Sequence, residues 1–355
     1  MTDLKNITIT PQMLARIAEL DEFKGAWAGV ERLRPEQLKA LKKVSTIESI
    51  GSSNRIEGNT LSDGEVEALL SRVSKKSFAS RDEQEVAGYA DLMNAVFDDY
   101  SVIPFSENSI KHLHHVLLRY VGKDERHRGE YKKKSNSVAA MDSAGKVVGI
   151  VFETATPFET PRRMEELVEW TRKNLDDPLS HPLIIIGVFI VHFLAIHPFL
   201  DGNGRLSRAL TALLLLKKGY AHIPYSSIES IIEANKEGYY RALRRTQKNI
   251  WKGRVDYEPW LSFFLATLQK QKRHLEEKIT AVENLGATLS RNQKNILALF
   301  KKNKEWSSAE IASRLEMNIE TTKKNVKALV ERGHLIKHGT TKGAWYGVAT
   351  ENHLK

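Results

Sequence analysis

From His197 to Arg208 the chain reads His-Pro-Phe-Leu-Asp-Gly-Asn-Gly-Arg-Leu-Ser-Arg, so an imidazole, a carboxylate, a glycine-rich turn and two guanidiniums fall within twelve residues. These are the groups needed to bind a polyphosphate and to deprotonate a nucleophile. Asp201 offers hard oxygen, Gly202 to Gly204 offer backbone amides that phosphate can approach closely, and Arg205 and Arg208 offer fixed cations. The two arginines lie three apart, on one face of a helix's first turn, where both can reach one phosphate chain. Taken singly, His197 before a proline could merely cap a helix and the arginines could be surface cations. The apolar run that follows argues against the second reading, because a buried arginine needs an anionic partner. A zinc site is the sharper alternative, but His192 and His197 are five apart and point to different faces, and the chain has no cysteine.

Two helices must position this stretch. Residues Pro182 to Ile196 are apolar on nearly every side, the pattern of a helix buried at a domain centre, and the run is short of the roughly 20 residues that span a bilayer. Arg205 to Leu216 predicts a second buried helix, closed by Lys217, Lys218 and Gly219. The turn between them therefore sits at a helix N-terminus, where free N–H groups and the positive end of the dipole attract anions.

The stretch resembles the Fic motif, His-x-Phe-x-(Asp/Glu)-Gly-Asn-Gly-Arg-x-x-Arg, at every defined position. That resemblance implies a Mg²⁺-dependent protein adenylyltransferase that moves AMP from ATP onto a Ser, Thr or Tyr hydroxyl of a target protein or of itself. The related Doc kinases share the His and Phe but lack the Gly-Asn-Gly-Arg-x-x-Arg form, so AMP transfer is favoured over phosphate transfer. By resemblance His197 is the general base, Asp201 holds Mg²⁺, and ATP is bound by Ser137, Val138, Gly202, Asn203, Gly204, Arg205, Leu206, Ser207 and Arg208. Asn203 is expected to give a side-chain donor. Tyr240, in Asn235 to Leu243, is the candidate adenine wall, although Tyr239 and Tyr240 could equally pack the core.

An earlier segment, Ser53-Asn54-Arg55-Ile56-Glu57-Gly58, is similar to the family's inhibitory signature, (Ser/Thr)-x-x-x-Glu-(Gly/Asn). Ser53, Glu57 and Gly58 fill its defined positions; alone, Glu57 reads as a solvated acid at a helix end. The resemblance implies that Glu57 pairs with Arg208 and displaces the γ-phosphate, leaving ATP bound but misaligned. It is to the subgroup whose inhibitory helix precedes the core.

Residues 1–95 read as helical, with starts at Pro35 and near Leu61. The helix over 107–121 carries His112, His114 and His115, which diverge around the axis and read as structural rather than as ligands. Gly129-Glu130-Tyr131-Lys132 has lysine where the family commonly has arginine. Val138 to Met141 and Val147 to Phe152, joined by Asp142 to Gly145, predict a hairpin. In the family this is a flap that registers the target's main chain.

The 355 residues carry a net charge of +10, and residues 291–355 hold 13 Lys and Arg against 6 Asp and Glu, a balance of +7. Three helices and two strands there resemble a winged helix-turn-helix, with Thr321, Thr322, Lys323, Asn325 and Lys327 on the recognition helix and Lys342 at the wing tip. DNA is one partner for that charge; a protein partner or a homodimer is the other. The expected architecture is mainly α: an N-terminal helical region over 1–95 with the inhibitory segment, a Fic-type catalytic core over 96–280 with its hairpin, a linker over 281–290 and the winged-helix domain over 291–355. The absence of cysteine, of an apolar N-terminal core and of a membrane-length run points to a cytoplasmic protein. Two other functions stay open: hydrolytic removal of AMP with Glu57 orienting a water, and a DNA-binding regulator whose Fic domain only senses nucleotide.

Overall fold

The computed structural model describes the chain apart from residues 1–3, 5–6, 34, 73–77, 137, 142–146, 254, 288, 301–304, 332–333, 339–343 and 349–355. It divides into two units, Met1–Glu276 and Glu277–Lys355.

The first unit is built around α7 (Pro182–Ile196) and α8 (Asn203–Lys217). Every residue of α7 from Leu183 onward is buried, as its unbroken apolar sequence requires. In α8, Asn203 and every residue from Arg205 to Leu216 are buried, charged ones included. Around this pair pack α1 (Pro11–Leu33), α2 (Pro35–Ile56), α3 (Asp63–Leu70), α4 (Arg81–Asp99), α5 (Glu107–Leu117), α6 (Thr160–Leu175), α9 (Ile228–Ala234), α10 (Lys236–Gln247) and α11 (Glu258–Ala287). The starts are chemically determined. Pro35 and Pro182 open helices whose first N–H groups have no partner to lose, and Ser62 caps α3 in a reciprocal box with Glu65. The division into units falls inside α11, which stays helical through 281–287, within the segment expected as a linker over 281–290.

Strands β1 (Val138–Met141) and β2 (Val147–Phe152) pair antiparallel, Ala139 with Ile150 and Met141 with Val147. The hairpin is thus present, while its expected turn over 142–145 and Ser137 lie outside the described residues.

The second unit holds α12 (Arg291–Leu299), β3 (Glu305–Ser307), α13 (Ser308–Arg314), α14 (Ile319–Glu331), β4 (Leu335–His338) and β5 (Trp345–Val348). Its sheet is antiparallel with order β3-β5-β4. Strand β3 is an addition to the sequence reading; three residues are too few for an alternation to show. Ile296, Trp306, Ile311, Val326, Leu329 and Leu335 form this unit's own core. Thr322 faces that core: it is fully buried, and its hydroxyl donates to Asn318 O at 3.1 Å, so it offers nothing to a partner surface. Lys342 and the wing tip lie outside the described residues. Among those described, no helix is long and apolar enough to cross a membrane.

Candidate active site

His197 terminates α7. Its N–H still bonds Phe193 O at 2.9 Å, but its backbone turns into the left-handed region (φ 52, ψ 60), which aims the imidazole away from the helix. Nδ1 lies 3.3 Å from Leu194 O. A carbonyl can only accept, so Nδ1 carries the hydrogen and Nε2 is the bare acceptor. Burial pushes the His197 pKa down to about 4, so the ring is a neutral base at pH 7.

The loop that follows is braced from within. Asn203 accepts from Phe199 N–H at 3.0 Å and donates to Phe199 O at 2.7 Å, so both ends of its side chain are spent on the loop. The side-chain donor expected of Asn203 is therefore engaged internally, and its backbone amide is what remains. Gly202 stands at φ +78, a conformation costly for residues with a Cβ, and the helix begins with Leu206 N–H bonding Gly202 O at 2.8 Å. The amides of Asn203, Gly204 and Arg205 precede that first bond and point out of the helix N-terminus.

His114 holds the loop from below. Its ring stacks on Phe199 at 3.8 Å, its Nδ1 accepts from Gly129 N–H at 2.9 Å, and its Nε2–H donates to Asp201 O at 3.0 Å. Burial keeps it neutral by lowering its pKa to about 4. Of the three histidines expected to be structural, His114 braces the motif, while His112 and His115 are exposed.

The Asp201 carboxylate accepts from Gly202 N–H at 2.6 Å, and lies 3.3 Å from Arg205 Nη2 and 3.0 Å from Arg81 Nη2. Buried Arg205 also pairs with Glu85 at 3.0 Å. Arg81 and Glu85, both on α4, are site-flanking residues that the sequence did not announce.

Arg208 turns away from this loop, toward α2. Its Nε donates to Ser53 Oγ and its Nη2 to Ser53 O, both at 2.8 Å, and Nη2 meets Glu57 Oε1 at 2.9 Å. Burial opposes the Arg208 charge, but Glu57 with Tyr239 and Tyr89 holds its pKa above the ordinary arginine value. Ser53 and Glu57, four apart, share one face at the end of α2, and Gly58 follows at φ +100. The Glu57 carboxylate lies directly over Gly204: a Cβ placed there would stand 2.1 Å from Oε1, so only glycine admits the carboxylate.

A cleft of about 740 Å³ joins these parts. Glu57, His197, Asp201, Gly202, Asn203, Gly204, Arg205 and Tyr240 line it, together with Asn136, Phe152, Leu243 and Arg244. Arg208 does not; Glu57 forms that wall in its place. Leu206 and Ser207, expected at the nucleotide, are wholly buried behind the cleft, the first in the core and the second bonded to Gly204 O at 2.8 Å. Val138 contributes backbone to β1. Tyr239 is buried and Tyr240 half-buried against the core, and both border the cleft.

Magnesium suits this donor set. Among the described residues no three His, Cys, Asp or Glu converge as a metal cage, but Mg²⁺ is held by one or two carboxylates completed by phosphate oxygens and water. Asp201, 39% exposed and beside free helix amides, is such a carboxylate.

Residues 104–215 match the Fic/DOC family. Over that stretch the chain is similar to Fic/DOC family proteins, and it is distantly similar to Fic protein adenylyltransferases. The protein adenylyltransferase Fic of Drosophila willistoni is 24% identical over 259 residues, which cover 72% of this chain and 46% of the fly protein. The chain thus spans about half the length of the fly relatives it matches. A crystal structure of a Fic family protein from Desulfovibrio desulfuricans superposes with a TM-score of 0.63 at 24% identity over 99% of both chains. A Fic domain containing signaling protein from Bacteroides thetaiotaomicron gives 0.60 at 26% identity, covering 75% of this chain and 97% of that one.

Proposed function

We propose that the protein transfers AMP from ATP to a hydroxyl side chain of a protein, and that Glu57 restrains the transfer. The observation that carries this reading is one cleft that opposes a neutral His197 to a free helix N-terminus, with a carboxylate seated on the cation a terminal phosphate would need. In the reading, the target hydroxyl gives its proton to His197 Nε2 as its oxygen attacks the α-phosphorus. The bond from that phosphorus to the bridging oxygen breaks, diphosphate leaves, and AMP stays esterified to the protein. The amides of Asn203, Gly204 and Arg205 and the guanidinium of Arg205 receive the developing negative charge. Asp201 would hold Mg²⁺, which when bound neutralises phosphate oxygens. Tyr240 and Leu243 offer the adenine an aromatic and an aliphatic wall.

Glu57 restrains by substitution. Its carboxylate fills the space over Gly204 and pairs with Nη2 of Arg208, so a γ-phosphate cannot take either position. Replacing Glu57 by Gly should raise incorporation of labelled AMP, self-modification included, and adding Arg208→Ala should remove the gain. His197→Ala in the same background should abolish transfer while nucleotide binding stays close to that of the parent. A structural Glu57 predicts instead a lower melting temperature with and without Mg·ATP and no gain in incorporation, because a buried cation would be left unpaired. That outcome would remove the brake from the mechanism.

For residues 291–355 we read a winged helix-turn-helix that binds nucleic acid, on its +7 balance and on the exposed lysines of α14.

A further inference from the structure

Four consecutive carbonyls of the His197 loop are gripped by two residues of the segment entering β1. Lys132 Nζ donates to Ile196 O at 2.9 Å and Lys132 N–H to Pro198 O at 2.8 Å. Asn136 Nδ2 donates to His197 O at 3.2 Å and to Phe199 O at 2.6 Å. The two grips are joined, because Lys132 Nζ also donates to Asn136 Oδ1 at 2.7 Å and to Thr154 Oγ1 at 2.9 Å, just beyond β2. The ammonium thus spends three hydrogens on three oxygens while 3% exposed. A lysine buried to this degree among neutral acceptors costs solvation and is retained only where its geometry matters. Here it backs a residue held at positive φ, a strained conformation that persists only when its surroundings over-determine it.

We propose that Lys132 is a positioning residue for His197: its ammonium locks the left-handed turn that aims the imidazole into the cleft, and ties that turn to the root of the β1–β2 hairpin. It rests on the reading of His197 as the general base. Lys132 does not line the cleft, so it acts through the loop and not on the phosphates. Its charge has a second effect. The groups that act electrostatically on the imidazole are Lys132, Glu57 and Asp201; burial lowers the His197 pKa most, and Lys132 opposes its protonation further while the two acids favour it.

The test compares Lys132→Met and Lys132→Arg in the full chain carrying Glu57→Gly. His197 is followed by NMR of labelled histidine, assigned by loss of the signal in His197→Ala, and AMP transfer by its kcat and KM. Lys132→Met should move the His197 titration to higher pH and lower kcat by about 100-fold, the scale set by an ångström of misplacement, with KM for ATP within about 3-fold of the parent. Lys132→Arg, which keeps charge and donors, should recover most of both. An unmoved titration with unchanged kcat overturns the proposal, as does a raised KM at constant kcat, the mark of a phosphate ligand. Should the parent transfer no AMP, the functional reading fails on its own, and the NMR comparison still decides the clamp. If Lys132→Met does not fold, Lys132→Arg and Asn136→Ala decide: retained activity in the first with a lowered kcat at unchanged KM for ATP in the second supports the clamp, whereas full activity in both, or a raised KM alone in the second, overturns it.

Discussion

At the scale of single residues, the first unit is rich in histidines that folding forbids to charge. Burial lowers the pKa of His114 and His222 to about 4 and of His192 to about 3. His192 Nε2 pairs with Tyr257 OH at 2.7 Å, and His222 packs edge-on against Phe23 at 4.9 Å. In the unfolded chain each titrates near 6.5, so below that pH the unfolded state binds more protons and stability falls as pH falls, down to the folded pKa. Each can contribute up to ~2 kcal/mol of lost stability between pH 7 and pH 5. Denaturant titrations at the two pH values should show the loss, and His222→Phe, which keeps the aromatic packing, should flatten the dependence by about one histidine's share. A pH slope identical in His222→Phe and the parent would mean that His222 charges as readily in the folded state. Over the same range the neutral His197 stays competent as a base, so acid inactivation above about pH 5 should follow unfolding and not titration of the site.

At the scale of elements, the twelve motif residues were legible because they are contiguous, and the flanking helices followed from the apolar run of α7 and the leucine-rich second half of α8. Glu57 was legible only through resemblance, since nothing local distinguishes it from a solvated acid. The contacts that fix the site were not legible, because they join positions far apart in sequence: Lys132 reaches Ile196 across 64 residues and Arg208 reaches Ser53 across 155. The end of α2 depends on another such contact. Arg55 grips Glu233 of α9 through Nε at 2.7 Å and Nη2 at 3.0 Å, and its Nη1 holds Asp63 Oδ1 at 2.9 Å and Leu61 O at 3.0 Å. A bidentate, partly buried arginine pair of this kind contributes about 1–3 kcal/mol. It pins the helix end two residues from Glu57 without lining the cleft. Arg55→Ala should therefore release Glu57 from Arg208 in a fraction of molecules and raise AMP incorporation by up to about 10-fold for each 1.4 kcal/mol lost, with Glu57 still present. Incorporation at the parent level in Arg55→Ala, measured beside an active Glu57→Gly control, would show that the brake does not depend on this latch.

At the scale of the whole molecule, positive charge is concentrated in residues 291–355, and α14 carries three of the lysines there beside Glu320 and Glu331. Its outer face is less positive than the sequence suggests, because Lys323 pairs with Glu320 at 3.0 Å and Lys327 approaches Glu331 at 3.8 Å, all four side chains more than half exposed. Asn325 is committed locally as well, donating to Thr321 O at 2.8 Å. Exposed pairs of this sort are worth at most about 1 kcal/mol and yield readily to a stronger anion such as a phosphate backbone. If α14 meets DNA phosphates, binding of a duplex to the full chain should weaken steeply with salt, with a logarithmic slope of about 0.9 for each phosphate neutralised. Lys323→Ala with Lys327→Ala should then flatten the slope by about 1 to 2, since two cations are removed. Glu320→Ala with Glu331→Ala should do the opposite to affinity, because both lysines lose their intramolecular competitors and two like charges leave the approach path. The acidic pair separates electrostatic binding from mere destabilisation: a damaged fold weakens binding in both double variants, whereas DNA contact moves them in opposite directions. Absence of any shifted duplex at low salt, with the melting temperature unchanged, would assign α14 to a protein partner.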